Sequence, residues 1–210
     1  MNRLIDQKVS DFIGAVASSS PAPGGGSVAA LMAALGISLL SMVARLTIGK
    51  KKYAQHDELM NELLQKADTL RENLTAQVDR DTEAFNKVSA VFAMPKDTDD
   101  EKSARQNAMQ EALKSAADVP LEVIEQCLQA LELTEAALGK SNTSAASDLG
   151  VAALSLLAGA KSAWLNVKIN IAGIKDEAYV KNANAKGETL LKQTEEVAER
   201  IYLSVEASLA

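Results

Sequence analysis

LLQKADTLRENLTAQVDRDTEAFNKVSAVF, residues Leu63–Phe92, is the stretch whose periodicity decides how the chain folds. Leu74, Val78, Phe85, Val88 and Phe92 keep the three-and-four spacing of an amphipathic helix facing a core. Asp81 falls in the same series, three after Val78 and four before Phe85. Burying an unpaired carboxylate costs far more than burying a methylene, so this residue is the anomaly of the sequence. Two readings are open. Either Asp81 is held by a structural partner such as Arg45, or its raised proton affinity is put to use.

On either side of this helix the sequence predicts more helices. A first covers about Asp6 to Ala17, with Val9, Phe12, Ile13 and Val16 on one face. Ser18 to Gly26 then carries two prolines and three glycines, which breaks regular structure. Ser27 is expected to cap a second helix that runs to about Ile48 and stops at Gly49. The long third helix spans about Gln55 to Phe92, and Pro95 follows it. Thr98 and Glu101 form a capping box for a fourth helix, which reaches Asp118 and bends or restarts at Pro120 before ending near Leu138. A fifth begins near Ser144 or Ser147 and ends at Gly173. Asp176 caps a sixth, Glu177 to about Ser208, with Ala183, Leu190, Val197, Ile201 and Val205 on its inner stripe. No linker divides the 210 residues, so a single all-α domain, a bundle of about six long helices, is expected.

Composition agrees. Hydrophobic residues make up 47% of the chain but aromatic ones only 3%, with Ala and Leu dominant, which suits close helix packing. The net charge of −6, with basic residues dispersed apart from Lys50-Lys51-Lys52, argues against a nucleic-acid surface. Cys127 and His56 are the sole residues of their types, which leaves no disulfide, no cysteine metal site and no histidine-based triad; the expected metal count is none. Val28 to Ala44 is free of charge but short of the ~20 residues of a membrane span. With no apolar leader at the N-terminus, a cytoplasmic protein is expected.

Polar residues run in seams along the two most apolar helices. At about 100° per residue, Ser27, Ala34, Ser38, Ser41 and Arg45 share a stripe of the second. Asp148, Ala152, Ser155, Gly159, Ser162, Asn166 and Asn170 share one of the fifth. Small residues in such a stripe fit a tight helix crossing or a subunit interface. Arg45, Asp148, Asn166 and Asn170 fit that less well, because a buried amide or charge needs several partners. Together with Asp81 they suit a polar cleft between helices. Pro23-Gly24-Gly25-Gly26-Ser27 leads into a helix N-terminus, where free amides and the helix dipole favour an oxygen or an anion.

These same residues carry a resemblance. Ala22 to Ala30, Ser41-Met42-Val43 running on to Gly49-Lys50-Lys51-Lys52-Tyr53, Val78 to Phe85, Ser147-Asp148-Leu149 and Asn166 to Asn170, in this order, resemble the formimidoyltetrahydrofolate cyclodeaminases and methenyltetrahydrofolate cyclohydrolases. The resemblance implies an all-helical homodimer and a tetrahydrofolate substrate, and it makes the second aspartate of Val-Asp-x-Asp, here Asp81, catalytic. Under it, Asn166, Asn170 and Asp148 are candidates for the pterin edge or the tetrahedral intermediate. The Gly24 to Ser27 amides are candidates for a carbonyl or carboxylate, and Lys50, Lys51 and Lys52 for the glutamate tail, with Pro23 and Arg45 among the binding residues. Both reactions want one proton-transfer group near neutral pKa and no bound cofactor. Cyclodeamination stands first among the expected functions and cyclohydrolysis second. A non-catalytic helical dimer, with Asp81 paired to Arg45 away from any pocket, is the alternative from another class.

Overall fold

Thr98 accepts from the Glu101 amide at 3.2 Å while the Glu101 carboxylate accepts from the Thr98 amide at 2.9 Å, so the capping box opens its helix as the sequence predicts. The computed structural model describes residues 3–209. Its helices are α1 (Val9–Val16), α2 (Gly25–Thr47), α3 (Asp57–Phe92), α4 (Asp99–Ala136), α5 (Ala146–Ile171) and α6 (Glu177–Leu209), and no strand occurs among the described residues. Asp176 caps α6 by accepting from the Tyr179 amide at 3.0 Å. Short 3-10 turns at Leu4–Asp6, Lys51–His56 and Thr143–Ala145 fill the joints.

The centre is an antiparallel pair, α2 against α5. A side chain at Gly159 would meet the Ala29 carbonyl oxygen at 3.0 Å, and one at Gly36 the Leu156 side chain at 2.9 Å. The small residues of the two seams therefore let the backbones touch. Around this pair α3, α4 and α6 bury Leu74, Val78, Ile124, Leu131 and Ile201 in one continuous core. Both α2 and the stretch Thr143–Ile171 are long and apolar enough to cross a membrane, by length and composition only, and in the fold they form its central pair.

Three expectations change. First, α2 starts two residues earlier than Ser27, so Gly24 is its N-cap and Gly25 and Gly26 form its first turn. Second, Pro120 does not interrupt α4, which is one helix of 38 residues. Third, the α3 stripe leaves the core at Asp81. Phe85 is partly exposed and Phe92 is 65% exposed, while Ala84 and Val91 take the inward positions. A helix of 36 residues, roughly 54 Å long, outruns the core it packs on.

Candidate functional site

Asp81 sits where α3 passes the N-terminus of α2. Its Oδ2 lies 3.0 Å from the Ser27 hydroxyl, and its carboxylate rests so closely on Gly26 that a methyl group there would overlap it. The anion at this helix N-terminus is thus the protein's own carboxylate. Two residues earlier, Asp79 points the other way and accepts from the Leu4 amide at 2.6 Å, with Arg3 at 3.7 Å. The first aspartate of the Val-Asp-x-Asp segment anchors the N-terminal turn. The second is left free.

Among the described residues no cation pairs with Asp81. Arg45 pairs instead with Asp68 at 2.6 Å, about twenty residues along α2, and its side chain is 54% exposed. The reading in which Arg45 neutralises Asp81 therefore fails. Burial pushes the Asp81 carboxyl above the usual carboxylate range, and the Ser27 hydroxyl and amide oppose the shift without cancelling it.

Ser27 explains part of this balance. Its hydroxyl, fully buried, lies 2.9 Å from the Val78 carbonyl oxygen, 3.0 Å from Asp81 and 3.1 Å from Thr82. A hydroxyl has one proton to give. When Asp81 is ionised, Ser27 must choose between the carboxylate and the Val78 carbonyl. When Asp81 is protonated, it can donate to Ser27, which then donates to Val78, and every group is satisfied.

A cleft of about 260 Å³ opens over Asp81, walled by Gly24, Gly25 and Gly26 of α2, Phe85 and Val88 of α3, and Asn166 and Asn170 of α5. Pro23, joined to Ala22 by a cis peptide bond, is buried and is not among the residues that wall the cleft. Pro120 has a part here. Without an N–H it leaves the carbonyl of Ala116, four residues back, free of a helical bond. Asn170 Nδ2 donates to that carbonyl at 2.9 Å and to the Asn166 carbonyl at 2.8 Å, while Asn166 Nδ2 donates to Ser162 at 2.8 Å. Carbonyls only accept, so these bonds orient both amides and leave their Oδ1 atoms as the groups not engaged by the protein.

The remaining candidates lie at the opposite end of the α2–α5 pair. Arg45, Lys50, Lys51 and Lys52 stand at the C-terminal end of α2 or just past it, and Asp148 in the first turn of α5. The 23 residues of α2 put about 33 Å between its two ends. Lys52 there donates to the Thr143 hydroxyl at 3.4 Å and lies over the Tyr53 ring. Within one chain the structure brings together Asp81, Gly24 to Ser27, Asn166 and Asn170, and not these five. The role of Ala116 and Pro120 was not read from the sequence, where Pro120 signals only a bend.

The fold and its cleft define an all-helical protein with an unpaired acid beneath an amide-lined opening. Over residues 8–189 the chain matches the family model described as formiminotransferase-cyclodeaminase, and it belongs to that family. It is 42% identical to the methenyltetrahydrofolate cyclohydrolase of Methylorubrum extorquens across 97% of this chain and 98% of that one. It is 35% identical to the formimidoyltransferase-cyclodeaminase of Mus musculus across 97% of its own length, but spans only 38% of that larger protein. The crystal structure of formiminotetrahydrofolate cyclodeaminase from Thermotoga maritima superposes with a TM-score of 0.87, at 30% identity and 98% coverage of both chains. The chain is an enzyme of this folate one-carbon family.

Proposed function

We propose that the chain adds water to 5,10-methenyltetrahydrofolate and opens its one-carbon bridge to 10-formyltetrahydrofolate. The observation that carries this reading is a carboxyl of raised proton affinity at the floor of the cleft, with no cation paired to it among the described residues. The full-length likeness to a cyclohydrolase at 42% identity supports reading hydrolysis before cyclodeamination, the reverse of the order expected from the motifs.

In this mechanism the Asp81 carboxylate takes a proton from the attacking water as its oxygen bonds to the cationic bridge carbon. The neutral tetrahedral adduct then collapses. Asp81 returns the proton to N5 as the carbon–N5 bond breaks, and the carbinol O–H gives its proton to solvent as the formyl C=O forms. One proton is released overall, matching the loss of the substrate's positive charge. A carboxyl that serves as both base and acid works best with a pKa near the working pH. The free oxygens of Asn166 and Asn170 accept from N–H groups of the pterin.

The Thermotoga maritima likeness favours a second reading, cyclodeamination, in which Asp81 moves a proton from N10 to the departing amino group. Supplying 5,10-methenyl- and 5-formimidoyltetrahydrofolate separately separates the two. Methenyl absorbance falling without ammonia supports hydrolysis; absorbance rising with ammonia supports deamination. Turnover of neither overturns both.

Ser27→Ala removes the donor that favours ionised Asp81, and bonds to charged groups contribute about 1.5–3 kcal/mol. The Asp81 pKa should rise further, so that the acid limb of kcat/KM moves to higher pH. Activity at neutral pH should fall on the order of tenfold and recover partly in base. A pH profile that keeps its acid limb would remove Ser27 from this role.

The enzyme is proposed to act in the cytoplasm as a homodimer, independent of nucleic acid and membrane. Leu35 and Met42 of α2, Val151, Leu154, Leu165 and Ile169 of α5, and Val9 and Ile13 of α1 are exposed apolar side chains that a second copy of the chain would cover. Light scattering at micromolar concentration should give twice the chain mass of 22.2 kDa. A single-chain mass would count against it.

A further inference from the structure

Of the four prolines in the chain, Pro21, Pro23 and Pro95 stand in the joints between helices, and Pro120 stands inside one. It lies near the middle of the 38 residues of α4 and is buried there. A proline in that position deletes one hydrogen bond of the helix, and its ring crowds the carbonyl four residues back. Both effects weaken α4. Neither produces a break, so the bend that would give the residue an architectural use is missing.

The effect reaches the cleft instead. Ala116 is buried, and a buried carbonyl without a helical partner needs a donor from elsewhere. Asn170 Nδ2 is that donor, at 2.9 Å from a position 54 residues away in sequence. Its other hydrogen goes to the Asn166 carbonyl at 2.8 Å. Turning the amide over would set Oδ1 against two carbonyl oxygens with no proton to share. The Asn166 carbonyl belongs to α5 and would be there whatever stood at position 120. The Ala116 carbonyl is available only because position 120 has no N–H. Around this bond the wall is apolar, with Ala84, Ala116 and Val119 packed against Val88, and a low dielectric strengthens the bond's hold on the amide.

We propose that Pro120 is a positioning residue for the reaction. By withholding an N–H from α4 it reserves the Ala116 carbonyl for Asn170, and so keeps the Asn170 oxygen turned into the cleft as an acceptor. That an N–H of the substrate meets this oxygen rests on the folate reading above; the orientation itself does not. An N–H at position 120 would draw the Ala116 carbonyl back into the helix. The flipped amide would then be populated, presenting a donor to a donor. Asp81 and its hydroxyl partner lie on α3 and α2, so the loss should fall on binding rather than on proton transfer.

Pro120→Val restores the N–H while keeping most of the bulk, and it should melt no lower than the parent. Its KM for the methenyl substrate should rise on the order of tenfold with kcat nearly unchanged. In ¹⁵N-labelled protein the side-chain amide signals of Asn170, assigned by their loss in Asn170→Ala, should shift in Pro120→Val. Pro120→Val/Asn170→Ala should have the KM of Asn170→Ala alone, because one residue acts through the other. Unmoved Asn170 signals, an unchanged KM, or losses that multiply in the double variant would each overturn the proposal. So would a Pro120→Val protein that fails to fold or loses stability and kcat together, since Pro120 would then be a packing residue. A parent that turns over neither folate overturns the folate reading, and the Asn170 signals then decide the orientation by themselves.

Discussion

Asp81→Asn should lose turnover by about 10²–10⁴-fold and keep its fold. The substitution preserves size and can still accept from Ser27, but it has no proton to exchange with the substrate. Stability moves the other way. Because burial raises the Asp81 pKa in the folded state, the native protein binds this proton more tightly than the unfolded chain does. That contribution to stability is fully present below the unfolded carboxyl pKa and is lost as pH rises through the folded one. Above the folded pKa the parent carries an ionised, partly desolvated group that the variant lacks. The melting temperature of Asp81→Asn should equal or exceed the parent's at pH 7, and any excess should vanish in acid. Thermal melts at both pH values and kcat on the same preparation check this. A variant that melts far below the parent yet turns over normally would sink the catalytic assignment.

What the sequence made legible was local. Caps and breakers place six helices to within about two residues at most ends, because Thr98 with Glu101, Asp176 and Gly49 act on the turns beside them. The three-and-four period singled out Asp81, since a carboxylate in an apolar series is anomalous before any neighbour is known. The same period misplaced Phe85 and Phe92. Periodicity reports which residues share a face and is blind to where the core beneath that face ends. It likewise put Asn166 and Asp148 on one stripe of α5, although they lie 18 residues apart and so at opposite ends of the helix. Only the antiparallel packing of α2 on α5 decides that Gly25 meets Asn166 while Arg45 and Lys50 to Lys52 lie at the other end. Nor does Pro120 announce that the carbonyl it frees will orient Asn170.

Gly26→Ala should abolish most of the activity by adding one methyl group. Gly26 lies in the first turn of α2, where alanine is the better helix former by about 0.8–1.0 kcal/mol for an interior position, and less at an end. The helix itself thus gains slightly. The new methyl, however, takes the space in which the Asp81 carboxylate now rests. Asp81 borders an open cleft, so its side chain can swing outward, giving up the 3.0 Å contact with Ser27 and the packing against α2. Once in solvent the carboxyl loses the desolvation that raised its proton affinity, and it no longer faces the one-carbon bridge. A displacement of about 1 Å in a reacting group can cost 10²-fold. The expected result is therefore a protein that melts within a few degrees of the parent, with kcat reduced about 10²-fold or more. Combining Gly26→Ala with Asp81→Asn provides the decisive control. If the methyl acts by moving the carboxylate, the double variant is hardly slower than Asp81→Asn alone, since residues that act as one unit are non-additive. Full multiplication of the two losses would show that Gly26 serves catalysis by another route. Undiminished turnover in Gly26→Ala would show that the carboxylate does not need its place against the first turn of α2.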